Sequence, residues 1–262
     1  MPIAKVRDLD LYFELHGSGP PLLNISGSGG DLRMTAPELN PLNGAFTVAH
    51  YDQRGLGQTS TPPLPWTMAD YAADAVAFLD FLGWDSVPVV GTSFGGMVGM
   101  NMAVLHPGRI SKLVLNCTSP GGPDYSSWPL HTLADLDPDE RGEVALEIMD
   151  TRYERGGPLP PGVEIFVANA RPDGPALPLE TPGALGQLEA RRGHDVVDRL
   201  SEIDVPTLVC AGVHDGIAPM RNSELLRDRI PNARLATFDG GHIFMMQDPT
   251  AYPAILEFLT ED

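Results

Sequence analysis

The segment from Val89 to Gly96 (VVGTSFGG) contains one serine and three glycines after an apolar run. The β-branched residues at its start predict a buried strand, and the apolar spacing of Met97–Leu105 predicts a helix. A serine in a sharp strand-to-helix turn needs glycine neighbours, because a Cβ at those positions would clash. Such a turn lifts the hydroxyl of Ser93 out of the sheet and places helix N–H groups above it. We therefore predict that Ser93 is the nucleophile of an acyl-transfer enzyme.

A phosphate-binding loop is the alternative reading of this glycine-rich turn. Such loops cradle phosphate with backbone N–H groups, and they carry further residues that contact the phosphate or its metal ion. No Gly-Lys-Ser/Thr follows here, and the glycines do not have dinucleotide-binding spacing. The sequence therefore favours the nucleophile.

A serine nucleophile needs a general base, and the seven histidines differ in their surroundings. His242 comes directly after the last predicted strand and behind two glycines, so its side chain could reach a neighbouring strand end. His214 also follows a strand and is the weaker candidate. His50 lies inside a strand-like run, where a structural histidine is more common. We predict that His242 is the base.

The third member of a serine triad is an acid that orients the histidine ring. Asp215 lies three residues beyond the predicted strand TLVCAG, in a turn shaped by a glycine and a proline. Asp239 is closer to His242 in sequence, but we expect its side chain to point away. A turn or helix-capping aspartate is the structural alternative for Asp215. We predict that Asp215 accepts the Nδ1–H of His242 and stabilises its imidazolium form.

Apolar runs that alternate with helical patterns predict a mostly parallel sheet covered on both faces. The predicted strands are two within residues 3–16, then Leu22–Ser26, Thr47–Asp52, Val87–Gly91, Leu113–Thr118, Thr207–Gly212 and Arg234–Phe238. The predicted helices are Met68–Leu82, the helix of the serine turn to Leu105, Pro219–Ile230 and Pro249–Leu259.

One long segment interrupts this alternation, because residues 120–203 hold Pro/Gly clusters and no convincing strand. Its helical patterns are Asp139–Tyr153, Val163–Ala170 and Gly183–Leu200. An insertion after the strand near Thr118 would lie over the C-terminal edge of the sheet, where open α/β sheets bind ligands. We predict a helical cap at 120–203 on an α/β core formed by 1–119 and 204–262.

Composition excludes several classes of partner. The net charge of −18, from 17 basic and 35 acidic residues, argues against nucleic acid and anionic membranes. Cys117 and Cys210 lie in apolar runs, so buried reduced thiols are expected rather than a disulfide or a metal site. Neither a signal-peptide pattern nor an apolar run of membrane-spanning length is found. We expect a cytoplasmic monomer or homodimer whose partner is a small molecule.

The triad order Ser93, Asp215, His242 resembles that of the α/β-hydrolase superfamily. The turn YDQRGLG, residues 51–57, is similar to the Asp-x-Arg-Gly-x-Gly turn of that family. The resemblance covers nearly the whole chain. It implies an eight-stranded, mostly parallel sheet with helices on both faces, and a cap after strand six. Ser93 excludes the dehalogenase and epoxide hydrolase branches, which have an aspartate there.

A tetrahedral intermediate needs two N–H donors directed at its oxygen. The first is predicted to be the N–H of Phe94, the residue after the nucleophile. In the family the second follows a His-Gly pair, but here Ser26 stands where that histidine would be. Gly27 keeps the tight backbone, so we predict the N–H of Ser28 as the second donor. The hydroxyls of Ser26 and Ser28 could add a side-chain donor.

A substrate pocket would need apolar lining residues close to the triad. Packing within the cap or the core is the structural alternative for each candidate. The predicted lining residues are Gly27, Met97, Trp128, Met149, Tyr153, Phe166 and Met245.

The sequence predicts a cofactor-free serine hydrolase that cleaves a small carboxylic ester or lactone, with no metal ion. The serine turn and YDQRGLGQTS resemble those of enol-lactonases and proline iminopeptidases, although the Gly-Thr-Ser-Phe-Gly elbow is not the iminopeptidase type. A peptidase, a carbon–carbon bond hydrolase and a perhydrolase share the triad and stay open. From a different class, a small-molecule receptor that keeps the triad with little turnover also stays open, as does a non-catalytic scaffold.

Overall fold

The strands of this protein form one sheet in the order β1-β2-β4-β3-β5-β6-β7-β8 in the computed structural model, which describes residues 2–164 and 181–261. β1 and β2 pair in antiparallel fashion and β2 is antiparallel to β4, whereas all further pairs are parallel. The predicted eight-stranded, mostly parallel sheet is therefore confirmed. The strands are β1 Ile3–Val6, β2 Leu9–His16, β3 Pro21–Ile25, β4 Thr47–Tyr51, β5 Val87–Thr92, β6 Ile110–Asn116, β7 Thr207–Gly212 and β8 Ala233–Phe238.

The helices of the described residues begin and end close to the predicted positions in the core of the fold. Within these residues, four 3-10 helices lie between β3 and β7, at Pro37–Leu39, Pro41–Gly44, Leu130–Asp135 and Val197–Glu202. The α-helices are α1 Leu32–Thr35, α2 Met68–Leu82, α3 Phe94–Leu105, α4 Gly122–Tyr125, α5 Pro138–Met149, α6 Pro182–Arg192, α7 Met220–Arg229, α8 Phe244–Gln247 and α9 Ala251–Thr260. No helix in 2–164 or 181–261 is both long and apolar enough to cross a membrane.

Two apolar layers cover the sheet, one on each face. α2 and α3 pack on one face, where Phe78, Met100 and Leu113 are fully buried. α9 covers the other face, where Phe258 packs with Val90 and Val114. Because β5 contributes apolar residues to both layers, it is buried on both faces, as expected for a central parallel strand. The C-terminal end of β5 carries Ser93.

The segment between β6 and β7 adds no strand to the sheet among its described residues. The prediction of one helix over Gly183–Leu200 is wrong. α6 ends at Arg192, and the N–H of Gly193 bonds to the carbonyl of Glu189. His194 then turns toward the core, and a 3-10 helix follows at Val197–Glu202. The boundaries of the cap at 120–203 stay a prediction.

A buried ion pair fixes the turn after β4. Arg54 is 3% exposed, and its Nε lies 2.8 Å from Oδ2 of Asp74, which is 2% exposed. A second carboxylate, that of Asp8, lies 3.0 Å from Arg54 Nη2. Two carboxylates therefore balance the charge of the one buried guanidinium. Their hydrogen bonds and negative charges raise the pKa of Arg54 above its usual range.

We expect Arg54→Met to lower the free energy of unfolding by about 3–5 kcal/mol, because it leaves Asp74 buried without its main partner. The matched control is Arg199→Met, which removes an exposed, solvent-screened pair with Glu202 and should lower the free energy of unfolding much less. Urea unfolding at pH 7 measures both values. Equal losses in the two variants would contradict the prediction.

Candidate active site

Ser93 occupies a strained turn between β5 and α3, with φ of 54° and ψ of −113°. Close packing of backbone imposes this conformation. A Cβ on Gly91 would lie 2.4 Å from the carbonyl oxygen of Gly95, and one on Gly95 would lie 2.1 Å from that of Ile25. Only glycine fits at these two positions, as the motif predicts.

The side chains of Ser93, His242 and Asp215 form a continuous hydrogen-bonded chain. Ser93 Oγ lies 3.0 Å from Nε2 of His242, and Nδ1 of His242 lies 2.8 Å from Oδ2 of Asp215. The other carboxylate oxygen of Asp215 accepts the N–H groups of Ile217 and Ala218 at 2.8 and 2.9 Å. The carboxylate is thus fixed in place. It can hold the His242 ring with Nε2 toward the serine.

Backbone contacts position His242 as well. It follows β8, and its N–H donates to the carbonyl of Met149 at the end of α5, at 2.7 Å. Gly241 approaches the same carbonyl so closely that a Cβ there would lie 2.1 Å from it. A glycine before the histidine is therefore needed for the loop to pack against α5.

The rival base and the rival acid pair with each other at a different place. Nε2 of His214 lies 3.2 Å from Oδ1 of Asp239, whose side chain is 77% exposed. The same oxygen accepts from Nη1 of Arg152 at 3.0 Å. Because these groups form a surface cluster, they do not take part in the chain that contains Ser93.

The loop after β3 is supported by the turn after β4, a contact that the sequence interpretation did not include. Nε2 of Gln53 donates to the carbonyl of Ser26 at 2.8 Å, and Gln53 is fully buried. Its Nε2 also lies 3.3 Å from Ser26 Oγ. One indirect signal for this role of Gln53 was available in the sequence: the chain lacks the family histidine, so another polar residue must support the loop. Gln53 supports the loop where that histidine is absent.

The backbone N–H groups of this loop differ in whether they have a hydrogen-bond acceptor. Gly29 N–H donates to Oε1 of Gln187 at 2.8 Å, and Gly30 N–H donates to the carbonyl of Gly27 at 3.3 Å. Ser28 N–H makes no such bond within the described residues. Its Oγ is also buried without a partner there. Phe94 is the first residue of α3, so its N–H has no acceptor within the helix.

A cavity of about 410 Å³ lies beside this loop, and two predicted pocket residues, Gly27 and Met245, line it. Apolar residues such as Leu32, Leu42 and Met245 line part of it. Four neighbouring strands also contribute polar side chains to its lining, namely Asn24, His50, Thr92 and Asn116. His50 is the predicted strand histidine, but only Nδ1 has a partner, Asn24 at 3.3 Å. Burial lowers the pKa of His50 to about 4, so its ring is neutral at pH 7.

Four other predicted pocket residues are not among the residues that line this cavity. Met97 is 2% exposed and packs in the apolar core, and its place in a substrate pocket stays a prediction. Met149 holds the His242 loop through its carbonyl. Tyr153 is buried and donates to Oε2 of Glu143 at 3.0 Å. Trp128 packs on an apolar cluster with Ile148 and Ile217. Phe166 lies outside the described residues.

Both cysteines are buried, and Cys117 lies next to the triad. Its Sγ comes within 4.8 Å of the nearest ligand atoms of Asp215 and His242. A thiolate, a carboxylate and an imidazole can together bind zinc. Burial, however, raises the pKa of the Cys117 thiol well above its usual range, so the thiolate that zinc requires is disfavoured. The candidate ligand atoms of Asp215 and His242 are also hydrogen-bonded to each other. This arrangement serves a proton relay better than a metal ion.

Comparison with known proteins agrees with the fold. The family model described as "alpha/beta hydrolase fold" matches residues 20–147. A protein of Azorhizobium caulinodans, provisionally named carbamate hydrolase RutD, is 30% identical over 98% of this chain and 97% of its own length. The chain belongs to the α/β-hydrolase family. It is therefore a hydrolase, and the predicted resemblance to the α/β-hydrolase superfamily is confirmed.

Other α/β hydrolases match over similar lengths. The poly(3-hydroxyalkanoate) depolymerase of Ectopseudomonas oleovorans is 32% identical over 92% of this chain and 85% of its own. The crystal structure of the enol-lactonase from Burkholderia xenovorans LB400 superimposes with a TM-score of 0.81. It is 25% identical and covers 99% of this chain and 100% of that one.

His194 joins the segment after β6 to α3 in this α/β hydrolase. Its Nε2 lies 3.1 Å from the carbonyl of Ser119, and its Nδ1 lies 3.3 Å from Nδ2 of Asn101. The residue is 4% exposed, and burial lowers its pKa from 6.5 to about 4. The unfolded chain therefore binds a proton near pH 6.5, whereas the folded chain binds it only near pH 4.

We expect the folded state to lose about 3 kcal/mol through His194 as the pH falls from 6.5 to 4. Urea unfolding of the wild type and His194→Gln across this range measures the effect, since the variant should lose less stability. His131→Gln, at an exposed position, is the control for removing a histidine. Parallel pH curves for wild type and His194→Gln would contradict the prediction.

Proposed function

We propose that this α/β hydrolase cleaves a small carboxylic ester or lactone through an acyl-enzyme on Ser93. The observation that carries the proposal is the chain from Ser93 Oγ through His242 to Asp215, with contacts of 3.0 and 2.8 Å. A hydroxyl is a weak nucleophile until a neighbouring base takes its proton. His242 is within hydrogen-bond distance of that proton.

In the proposed reaction, Ser93 Oγ bonds to the substrate carbonyl carbon while His242 Nε2 takes the hydroxyl proton. The tetrahedral intermediate collapses when His242 gives this proton to the leaving alcohol oxygen, and the ester C–O bond breaks. Water then attacks the acyl-enzyme by the same route in reverse order, and the acid leaves. Asp215 keeps the Nδ1–H in place and stabilises the imidazolium in both halves.

The N–H groups of Phe94 and Ser28 are the proposed oxyanion donors. Each preorganised donor contributes about 3 kcal/mol of transition-state stabilisation. The N–H groups of the next two residues, Gly29 and Gly30, are occupied, whereas that of Ser28 has no acceptor within the described residues, which supports its selection.

The substrate class rests on the cavity and on the relatives. The apolar residues that line the cavity, Met245 among them, suit the aliphatic part of a small ester. The names of the depolymerase and the enol-lactonase describe ester-type substrates. A carbamate is the second candidate, because the relative from Azorhizobium caulinodans carries that name. Both bonds present a carbonyl to the same triad.

A fluorophosphonate probe followed by peptide mapping tests the nucleophile. We expect the wild type to be labelled at Ser93 and Ser93→Ala to remain unlabelled. Turnover of a panel of short esters, lactones and carbamates then ranks the substrate classes. Persistent labelling of Ser93→Ala would exclude this nucleophile, and specific ligand binding without multiple turnover would favour a receptor.

The paired histidines allow a matched test of the base. His242→Ala should lower kcat by about a thousandfold or more, since among the described residues His242 is the base that is hydrogen-bonded to the Ser93 hydroxyl. His214→Ala removes a surface ring bonded to Asp239 and should keep near wild-type turnover. Steady-state kinetics on the best ester of the panel measures both. A larger loss of kcat in His214→Ala than in His242→Ala would identify His214 as the general base instead.

Gln53 should act as a positioning residue for the oxyanion loop. Gln53→Met removes the bond to the Ser26 carbonyl, so we expect kcat to fall about 10- to 100-fold with a small change in KM. Ser26→Ala is the control, because it keeps the backbone carbonyl that Gln53 holds. Equal kcat in the two variants would show that this contact does not position the loop.

A further inference from the structure

One face of α6 carries two buried side chains whose nitrogen atoms are not all paired. Gln187 is 2% exposed and Arg191 is 8% exposed, and they lie one helical turn apart. Nε2 of Gln187 and Nε of Arg191 have no partner within the described residues. The remaining bonds are from Gly29 N–H to Gln187 Oε1 and from Arg191 Nη2 to Ser127 Oγ, at 2.8 and 2.6 Å.

Arg191 differs from the other buried arginine in its electrostatic surroundings. Arg54 has the carboxylates of Asp74 and Asp8 at 2.8 and 3.0 Å. In the described part of the chain, no carboxylate lies within ion-pair distance of Arg191. Burial accordingly lowers the pKa of Arg191 to about 10, so it still carries its charge at pH 7. A buried cation without an anion is costly, and a bound anion would offset that cost.

The position of α6 relates these donors to the proposed active site. At one end, Gln187 contacts the oxyanion loop through Gly29. At the other end, Arg191 and His194 contact Ser127 and Ser119, in the segment after β6. Both of these elements reach Ser93: the loop leaves β3 beside the elbow, and Thr118 donates to the Ser93 carbonyl at 2.7 Å. α6 thus crosses between the two elements that flank the nucleophile.

We propose that Arg191, assisted by Gln187, binds a second, ionised carboxylate on the substrate, so that the enzyme prefers a half-ester or lactone of a dicarboxylic acid. This inference rests on the proposed function and narrows its substrate class. The guanidinium offers Nε–H and an Nη–H in one plane, which matches the two oxygens of a carboxylate. The buried position strengthens the attraction, because few water molecules compete with it.

A matched pair of substrates tests the proposal directly. Monoethyl glutarate and ethyl glutaramate differ only in that a carboxylate is replaced by a neutral carboxamide of similar size. We expect the wild type to prefer the carboxylate at least about tenfold in kcat/KM. Arg191→Met should remove this preference, mainly by raising KM for the carboxylate, and should leave the carboxamide within about threefold.

Arg192→Met is the matched control, since it removes the same charge from the next residue, whose side chain is 66% exposed. It should keep the substrate preference. The inference is overturned if the wild type does not distinguish the two substrates, or if Arg191→Met and Arg192→Met behave alike.

Two further measurements separate this inference from the proposed function and from a structural role. Calorimetry can measure the binding of glutarate to Ser93→Ala without any turnover. The double variant Ser93→Ala/Arg191→Met should not bind glutarate. Failure of all ester turnover with intact glutarate binding would overturn only the proposed function. The melting temperature of Arg191→Met should stay equal to or above that of the wild type. A marked fall in this melting temperature, with equal losses of kcat/KM on both substrates, would instead indicate a structural role for Arg191 and overturn the inference.

Discussion

The backbone of Ser93 is the constraint on which the rest of the site depends. A positive φ in a non-glycine residue costs on the order of 1–3 kcal/mol and persists only when its surroundings impose it. Here the N–H of Ser93 donates to the Asn116 carbonyl, and its own carbonyl accepts from Thr118, both contributed by β6 and its end. Gly95 meanwhile packs on the Ile25 carbonyl at the end of β3. The elbow therefore locks three strand ends together, and backbone packing fixes where the oxyanion loop begins relative to Ser93.

That loop is then held at several points by side chains from far along the chain. Gln53 binds the Ser26 carbonyl at its start, and Oδ1 of Asp52 accepts the N–H of Leu32 at its end, at 2.8 Å. Gln187 binds Gly29 near its middle. With both ends held by adjacent residues of one buried turn, the loop does not need the histidine that Ser26 replaces. The conformation of a short polar loop depends here on its supports more than on its own sequence.

The fold and the residues of the hydrogen-bonded chain Ser93–His242–Asp215 could be predicted from sequence because both depend on local signals. Apolar runs define the strands, and a catalytic side chain comes directly after a strand end. A strand end alone does not separate residues 214 and 215, which are adjacent but bind different partners: His214 pairs with Asp239, and Asp215 with His242. The helix break at Gly193 and the support at Gln187 could not be predicted, and Gln53 had only the indirect signal of the missing family histidine. They depend on contacts between residues 27 to 158 positions apart, which no periodicity encodes.

The two buried arginines show how position decides the meaning of the same residue type. This chain has 35 acidic residues, so a carboxylate partner for a buried arginine is readily available, and Arg54 has two. The net charge of −18 acts mainly from the surface, where salt screens it within about 8 Å at physiological ionic strength. It therefore cannot compensate the guanidinium of Arg191 inside the protein. It does disfavour the distant approach of an anionic substrate, so any preference for one must arise from short-range, desolvated contacts. The buried guanidinium of Arg191, which contacts Ser127 in the segment after β6, is such a contact, and its strength increases as the substrate displaces the remaining water.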